Sequence, residues 1–400
     1  MDNHPDSCWD NMKDVFMKAV EDIVDGNVSK LDLGGRPNAY SNIGSEGAIA
    51  LARALKLSST LSVLQLDGNN IGDKGAIALA RALDFNSTLS VLHLDSNNIG
   101  DEGAAALARA LESNSTLFEL NLGSNNVGDE GAIALARALE SNSTLSVITI
   151  SDNNIGDEGI SALGRALASN STVSQLNLSM NKIGLDGASA LARVLESNST
   201  LSQLILGGNK IGPEGASIIV SAVSNSTLST LFLYCNNIGD EGASALARVL
   251  KSNSRLSKLV LASNNIGSKG ASALAQALES NSTVSELVLA SNRIGPEGAY
   301  ALCRALELNS SLTRLNLGGN TMGPEGASAI ARALESNSTV SELVLACNKI
   351  GPEGGYALCR ALELNSALSE LNLRGNKMGR SVETTLQQMV SNRPSLKIYY

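Results

Sequence analysis

Histidine residues with acidic neighbours are the side chains of this 400-residue chain best suited to chemistry, and they are few. The only histidines are His4 and His93, and His93 has Asp67 and Asp95 at adjacent predicted strand positions. A histidine beside a carboxylate can act as a general base. The repeat spacing places no nucleophile near it. We therefore expect His93 to be a contact residue and predict that the chain is not an enzyme and has no catalytic residues.

Cysteines offer no clear site either, because their number is odd and they are widely spaced. They are Cys8, Cys235, Cys303, Cys347 and Cys359. This pattern favours reduced, buried or half-buried structural thiols in the cytoplasm over a disulfide framework. Cys303 and Cys359 share one helix phase two repeats apart, which is too far for a shared metal. We predict no metal site and no cofactor.

Ten arginines recur at one helix phase and could offer an arginine finger to a GTPase. They are Arg53, Arg81, Arg109, Arg137, Arg165, Arg193, Arg248, Arg304, Arg332 and Arg360. Acids lie seven residues earlier on the same helix stripe, as Glu102 does before Arg109. This spacing favours a solvated lattice of ion pairs, since a catalytic finger should differ from its repeats and none does.

Composition and charge argue against several classes of protein. The formal net charge is −9, and no basic run is interleaved with aromatic residues, so binding to nucleic acid has little support. The chain lacks both an apolar run of about 18 residues and a signal-peptide pattern near Met1, which argues against a membrane or secreted protein. Hydrophobic residues make up 43% of the chain but aromatic residues only 3%, so Leu, Ala and Ile must form the core. We expect a cytoplasmic monomer.

An asparagine that recurs every 28 residues divides the chain into repeats. The series runs from Asn69 to Asn209, takes one step of 27 residues to Asn236, and continues at 28 to Asn376. This gives twelve regular units. A first, irregular unit begins at residues 31–33 and contains an insertion around residues 35–39. Such periodicity predicts a stack of supersecondary units that share a continuous core.

Each repeat reads as a strand followed by a helix. Around Leu92, leucines alternate with other residues as in a strand, and Asn97 follows where the chain turns. A helix with an apolar stripe then begins near Asp101, whose charge suits the positive end of that helix. We expect Asn114 to be left-handed just past the helix end. Nine Asn-x-Ser/Thr sequences recur at this exit, and we interpret them as turn chemistry rather than glycosylation sites.

Strands joined through helices are parallel and connected right-handedly. We therefore predict an α/β leucine-rich-repeat solenoid of horseshoe shape, with an inner parallel β-sheet, outer α-helices and about 13 repeats of 28 residues. The predicted organisation is an N-terminal capping helix in residues 1–29, the solenoid in 30–378 and a C-terminal cap in 379–400. Trp9 and Phe16 should belong to the core of the first cap. Caps at both ends lead us to expect a whole solenoid rather than a fragment of a receptor.

The pattern LxxLxLxxNxIGxEGAxALARALxxNST covers nearly all of residues 30–378. It resembles the ribonuclease-inhibitor-like class of leucine-rich repeats, which includes ribonuclease inhibitor, the repeat domains of NOD-like receptors and the Ran GTPase-activating protein. The resemblance implies a scaffold, sensor or inhibitor that binds a protein. A GTPase-activating protein of the Ran type, acting on a small GTPase, is the alternative. The chain departs from these relatives in having few cysteines, no P-loop and only Glu383 as an acid in residues 380–400.

Non-leucine strand positions should line one shared inner surface. In the N-terminal half these positions are mostly polar or small, whereas from the 27-residue repeat onward they become apolar with charged neighbours. An apolar centre with an aromatic anchor and a charged rim is typical of a protein interface. The predicted partner-binding residues are Ile205, Phe232, Tyr234, Lys258, Val260, Glu286, Val288, Arg314, Glu342, Val344, Glu370 and Arg374.

Overall fold

Short strands alternate with helices throughout the computed structural model of this chain. The structure describes residues 6–34, 42–224 and 226–400, and for residues 6–14 it describes the backbone only. The chain forms two compact units. The first comprises Met1–Ile183 together with Ser197–Leu201, and the second comprises Gly184–Glu196 together with Ser202–Tyr400. Each unit is a run of strand-plus-helix repeats. This is the predicted α/β leucine-rich-repeat solenoid.

The first unit contains six helices and six strands among its described residues. The helices are α1 (Asp6–Val24), α2 (Gly44–Leu57), α3 (Gly72–Leu83), α4 (Asp101–Leu111), α5 (Asp129–Ser141) and α6 (Asp157–Ser169). The strands are β1 (Lys30–Asp32), β2 (Val63–Gln65), β3 (Val91–His93), β4 (Glu119–Asn121), β5 (Val147–Thr149) and β6 (Gln175–Asn177). These strands pair in chain order, and every pair is parallel.

The second unit repeats the same plan over a longer stretch. Its helices are α7 (Leu185–Ser197), α8 (Gly212–Val223), α9 (Gly239–Leu250), α10 (Ser268–Leu278), α11 (Gly295–Leu308), α12 (Gly323–Ser336), α13 (Gly351–Leu364) and α14 (Arg380–Asn392). Its strands are β7 (Gln203–Ile205), β8 (Thr230–Phe232), β9 (Lys258–Val260), β10 (Glu286–Val288), β11 (Arg314–Asn316), β12 (Glu342–Val344), β13 (Glu370–Asn372) and β14 (Lys397–Tyr399). They too pair in order and in parallel.

Alternation along each strand separates core from surface, as the repeat pattern predicts. The central leucines, such as Leu92 and Leu231, are fully buried, while their strand neighbours are partly exposed. The 27-residue step is absorbed without loss of register, because Leu204 still pairs with Leu231. The insertion predicted around residues 35–39 lies outside the described residues, as do the contacts of Trp9. Phe16 is half-buried.

A buried asparagine after each strand ties neighbouring repeats together. Asn97 is fully buried; its Nδ2 donates to the carbonyls of Leu66 and Asp95. Its Oδ1 accepts from the backbone N–H groups of Asn69 and Ile71. One amide thus satisfies four backbone groups of the turn and the adjoining repeat, which explains why this position specifies asparagine.

The second asparagine, at the helix exit, corrects one prediction. Asn114 is not left-handed, and its equivalent Asn142 has an extended backbone with φ −71° and ψ 129°. The reason is that Asn114 Oδ1 accepts from the N–H groups of Thr116 and Leu117, which requires an extended chain. Its Nδ2 donates to the carbonyl of Leu83 in the previous repeat. The amide that a glycan would need is buried and bonded, as expected of turn chemistry.

The first-turn aspartates act on the next repeat, which the sequence analysis missed. Asp101 Oδ1 accepts from the N–H groups of Gly128, at 2.7 Å, and Gly131, at 2.9 Å, at the start of α5. Asp73, Asp129 and Asp240 make the same two bonds. A capping carboxylate thus satisfies orphan donors of the following helix.

The conformation of the glycine that opens each helix depends on this aspartate. Where the previous repeat supplies it, the glycine is extended, as Gly128 is with φ −103°. Where proline stands at that phase, as Pro213 does, the glycine is left-handed, and Gly239 has φ +64°. The glycine is therefore needed most where the cap is absent, since L side chains rarely adopt that region.

Two of the repeated arginines form ion pairs with acids other than those predicted. Arg304 Nε lies 3.2 Å from Glu279 Oε1 and Arg332 Nε lies 3.7 Å from Glu307 Oε1. Each acid comes from the end of the preceding helix rather than from a position seven residues earlier on the same helix. Parallel stacking brings the end of one helix beside the next repeat's arginine, so the pairing depends on contacts between repeats.

Candidate protein-binding surface

All twelve predicted partner-binding residues lie in the second unit, on or just after its strands. Two adjacent columns run across these strands on the face opposite the buried leucines. The apolar column contains the residue after the central leucine in five strands, Ile205, Phe232, Val260, Val288 and Val344, and Asn316 of β11 interrupts it. The charged column contains the residue before the central leucine: Lys258, Glu286, Arg314, Glu342 and Glu370.

The apolar column is open at the surface rather than tucked beneath the sheet. Phe232 and Val288 are half-buried, whereas Leu231 and Leu287 beside them are buried in the core. Val260 is only 8% exposed, because it pairs in register with Phe232 on one side and Val288 on the other. Phe232 and Val288 thus supply more accessible apolar area than Val260 does.

Tyr234 lies over the neighbouring repeat, where a glycine makes room for it. A Cβ atom at Gly207 would collide with the ring of Tyr234. The ring is therefore held against the backbone of the preceding repeat and is only half-exposed. This contact extends the apolar column beyond Phe232 and gives the Tyr234 ring a defined position. In the sequence, the feature that could have indicated this contact is a glycine, Gly207, at the same strand position one repeat before Tyr234.

Opposite charges alternate along the charged column. Lys258 Nζ lies 2.9 Å from Glu286 Oε1, and Arg314 Nε lies 2.7 Å from Glu342 Oε2. Glu286 is also 4.0 Å from Arg314 Nη1. Glu342 pairs in register with Glu370, which interrupts the alternation. Such partly exposed pairs contribute little to stability, but they restrict the positions of their side chains.

Cations also contact the aromatic rings of this face. Lys258 Nζ lies 5.3 Å from the centre of the Phe232 ring, and the Arg374 guanidinium lies 5.2 Å from that of Tyr399. Tyr399 in β14 was not among the predicted site residues, because the final strand departs from the repeat pattern. A depression of about 100 Å³ lies between the columns, where Val288, Arg314 and Val344 are among its lining residues.

Polar residues cover the corresponding face of the first unit. His93 Nε2 lies 2.8 Å from Glu119 Oε1, and His93 Nδ1 lies 3.1 Å from Gln65 Nε2. The predicted partners Asp67 and Asp95 instead contact each other through the Asp95 N–H, which donates to Asp67 Oδ1. Burial raises the pKa of Asp67 above its usual value. His93 is thus a bridging residue between strands rather than part of an acid–base pair with these aspartates.

The cysteines fall into two groups, which corrects the prediction that all are buried or half-buried. Cys303 and Cys359 are buried, and burial raises the pKa of the Cys359 thiol to about 11. Cys235 and Cys347 are exposed with left-handed backbones, at the turn position that Ser263 occupies in its own repeat. All four are free thiols, and the Cys8 side chain lies outside the described residues. Turn position, not hydrophobicity, decides the exposure of Cys235 and Cys347.

Among the described residues, no group of three or more histidines, cysteines or acids is arranged to hold a metal ion. Within the same part of the chain, no helix has the length and apolar character that crossing a membrane requires.

Comparisons with known proteins place the chain within a family. A sequence search of curated proteins gave no match. Solved structures with the same fold include an internalin from Listeria monocytogenes str. 4b F2365, with 21% identity, coverage of 90% of this chain and 92% of that chain, and a TM-score of 0.50. They also include a chain of the yeast Rad7–Elc1 complex, with 17% identity, coverage of 97% and 94%, and a TM-score of 0.54. The family model described as the NLRC3 LRR domain matches residues 16–397. The chain therefore belongs to the family of NLRC3 leucine-rich-repeat domains.

Proposed function

We propose that this chain is a protein-interaction scaffold whose second unit binds a protein partner through the apolar and charged columns. The observation that carries the proposal is the row of apolar side chains from Ile205 to Val288 on the face opposite the leucine core, in which Ile205, Phe232 and Val288 are partly exposed. A surface of this kind on a rigid parallel sheet is the usual binding platform of repeat proteins. Membership of a leucine-rich-repeat family supports the same function.

The aromatic pair Phe232 and Tyr234 is the proposed anchor. Large aromatic side chains in defined positions contribute most to binding at protein interfaces. Both rings are held by contacts within the unit, Phe232 by Lys258 and Tyr234 by the backbone at Gly207. Little side-chain freedom would then be lost when a partner binds, which favours affinity.

The charged column defines what kind of partner fits. It presents both signs in alternation, so a strongly acidic or strongly basic surface would meet repulsion as often as attraction. We infer a partner with an apolar centre and interspersed charges of both signs. Rad7 in yeast forms a complex with Elc1, which illustrates partner binding by a protein of this fold. We expect binding in the cytoplasm, where free thiols such as Cys235 remain reduced.

A pull-down with matched variants tests this proposal. Phe232→Asn and Tyr234→Ala together replace the anchor with residues that other repeats carry at the same positions, such as Asn316 and Ala262. The double variant should therefore fold normally. The control is Phe118→Ser in the first unit, another exposed aromatic residue restored to the serine of its neighbours.

We expect the double variant to lose specific partners that wild type and the control retain. An identical set of partners for all three proteins would refute the choice of surface. Single-turnover GTP hydrolysis by the recovered partner, with and without the chain, tests the Ran-type alternative. Acceleration that survives the double variant would replace our proposal with a GTPase-activating function.

A further inference from the structure

A basic groove lies on the outer side of the first unit, between helices α2 and α3. Its volume is about 470 Å³, and the half-buried side chains of Ile49 and Ile77 lie along it. Its lining includes four exposed cations and one acid. These are Arg53, Lys56, Lys74, Arg81 and Asp84. Such a concentration of positive charge is unexpected in a chain whose net charge is −9.

The other repeats show that two of these cations are departures from the pattern. Most repeats carry an acid at the phase of Lys56, where Lys251 is the other lysine, and most carry one at the phase of Lys74, where Lys269 is the other lysine. Acids at the phase of Lys56 are Asp84, Glu112, Glu140, Glu196, Glu279, Glu307, Glu335 and Glu363. Acids at the phase of Lys74 are Glu46, Glu102, Glu130, Glu158, Asp186, Glu214, Glu241, Glu297, Glu325 and Glu353. Both reversals of charge occur in the same groove.

An exposed aromatic residue stands at the edge of this groove. Phe85 is 65% exposed, at a phase where most repeats have serine and a few have leucine. Lys56 Nζ lies 3.8 Å from the centre of its ring, a cation–π contact that holds the ring beside the groove. Burial within the chain does not explain a phenylalanine here, since most of its surface remains in water.

A groove on the helices of the second unit, lined by α8, α9 and the start of α10, provides an internal comparison. It is larger, at about 660 Å³, and includes Glu214 and Ser217 at the phases of Lys74 and Ile77. Its lining contains the acids Asp240 and Glu241, which accompany Arg248 and Lys269. The ordinary groove between two repeats is therefore polar with mixed charge. Helices α9 and α10 carry the same two reversals, as Lys251 and Lys269, but they have serine at the phases of Ile49, Ile77 and Phe85. The groove between α2 and α3 therefore differs in combining its cations with apolar residues.

We propose that the groove between α2 and α3 binds an acidic amphipathic segment of a protein partner. Carboxylates of the segment would pair with the four cations, and its apolar side chains would cover Phe85 and lie along Ile49 and Ile77. Charge complementarity of this kind steers association and sets specificity. The site belongs to a different unit and requires different chemistry from the surface proposed above, so the two proposals stand independently.

An acidic protein segment fits the groove better than an anionic membrane does. Exposed acids lie on the outer side of the next two helices, among them Glu102, Glu112 and Glu130. A bilayer surface broad enough to reach the four cations would also approach these carboxylates and be repelled. A single peptide lying between α2 and α3 would avoid them.

Fluorescence anisotropy with a defined probe tests the proposal. The probe is a labelled helical peptide of about 14 residues, with leucines on one face and glutamates on the other. The test variant combines Lys56→Glu, Lys74→Glu and Phe85→Ser, which installs residues that other repeats already carry at these phases. Phe85→Ser alone serves as a second, milder variant. The matched control is Lys269→Glu, the same reversal at the same phase in the second unit.

We expect saturable binding by wild type and by the control, a loss of affinity on the order of tenfold or more in the triple variant, and weaker binding at high salt. The Phe85→Ser variant should bind with intermediate affinity. Equal affinities for wild type and the triple variant, an equal loss in the control, or no binding by wild type would overturn the proposal. Binding of wild type to phosphatidylserine vesicles but not to the peptide would overturn it in favour of a membrane site.

Discussion

Replacing Asp101 with alanine should weaken the junction between two repeats, not the helix that carries the aspartate. In the native chain its Oδ1 accepts two hydrogen bonds from α5, from the N–H groups of Gly128 and Gly131. Alanine leaves both donors at the start of α5 without this partner. The defect should therefore appear in α5, although the substitution is in α4.

The size of the effect follows from the two bonds. Hydrogen bonds to charged groups contribute about 1.5–3 kcal/mol each, but Asp101 is half-buried and water can replace part of the loss. The loss of a helix cap typically costs about 1–2 kcal/mol. We therefore expect Asp101→Ala to lower the free energy of unfolding by about 1–2 kcal/mol, and Asp101→Asn, which keeps an acceptor oxygen, by less.

Urea unfolding monitored by circular dichroism gives the total loss, and amide hydrogen exchange at Gly128 and Gly131 gives its location. The control is Glu102→Ala, which removes an exposed acid one residue away and should change stability by less than about 0.5 kcal/mol. Faster exchange should be confined to the start of α5 in Asp101→Ala. Equal losses for Asp101→Ala and Glu102→Ala, with unchanged exchange at both glycines, would refute the reasoning.

Two further predictions concern the cysteines and the tyrosine contact. In a Cys8→Ser background at pH 8, Cys235 and Cys347 should react rapidly with a thiol reagent while Cys303 and Cys359 remain protected. The reason is that Cys303 and Cys359 are buried and their raised pKa values keep both thiols protonated. Rapid reaction of all four thiols would contradict this prediction. Gly207→Ala should displace the Tyr234 ring and increase its exposure, measured as faster nitration of Tyr234. The control is Gly318→Ala, at the same phase four repeats later, where an added Cβ atom has no neighbour closer than 3.3 Å, and it should leave Tyr234 nitration near the wild-type rate. Unchanged nitration in Gly207→Ala would show that the ring does not rest on Gly207.

Features that depend on a single repeat could be predicted from the sequence. The alternation around Leu92 correctly separated core from surface, and the recurring Asn97 correctly marked the turn that follows the strand. These features follow from strand geometry and hydrogen-bonding capacity alone. The change from polar to apolar residues, which begins with the 27-residue repeat, is the basis for the candidate surface, and the binding role of that surface stays a prediction.

Features that depend on contacts between repeats could not be predicted in the same way. Asp101 was assigned to its own helix, and the arginines were paired within one helix, but both contact the adjoining repeat. Periodicity fixes which residues are equivalent, but it does not determine how one repeat is translated and rotated onto the next. For the same reason the close approach of Tyr234 to Gly207 and the partial covering of Val260 by its neighbours became visible only in three dimensions.

Site-specific photo-crosslinking tests the central claim, that a protein docks on the open strand face of the second unit. A benzophenone amino acid is placed at position 234 in one protein and at position 276, an exposed site on α10, in another. The account predicts that position 234 forms a crosslink to a protein partner, that position 276 does not, and that Phe232→Asn abolishes the adduct. Crosslinking from position 276 alone, or an adduct at 234 that survives Phe232→Asn unchanged, would contradict it.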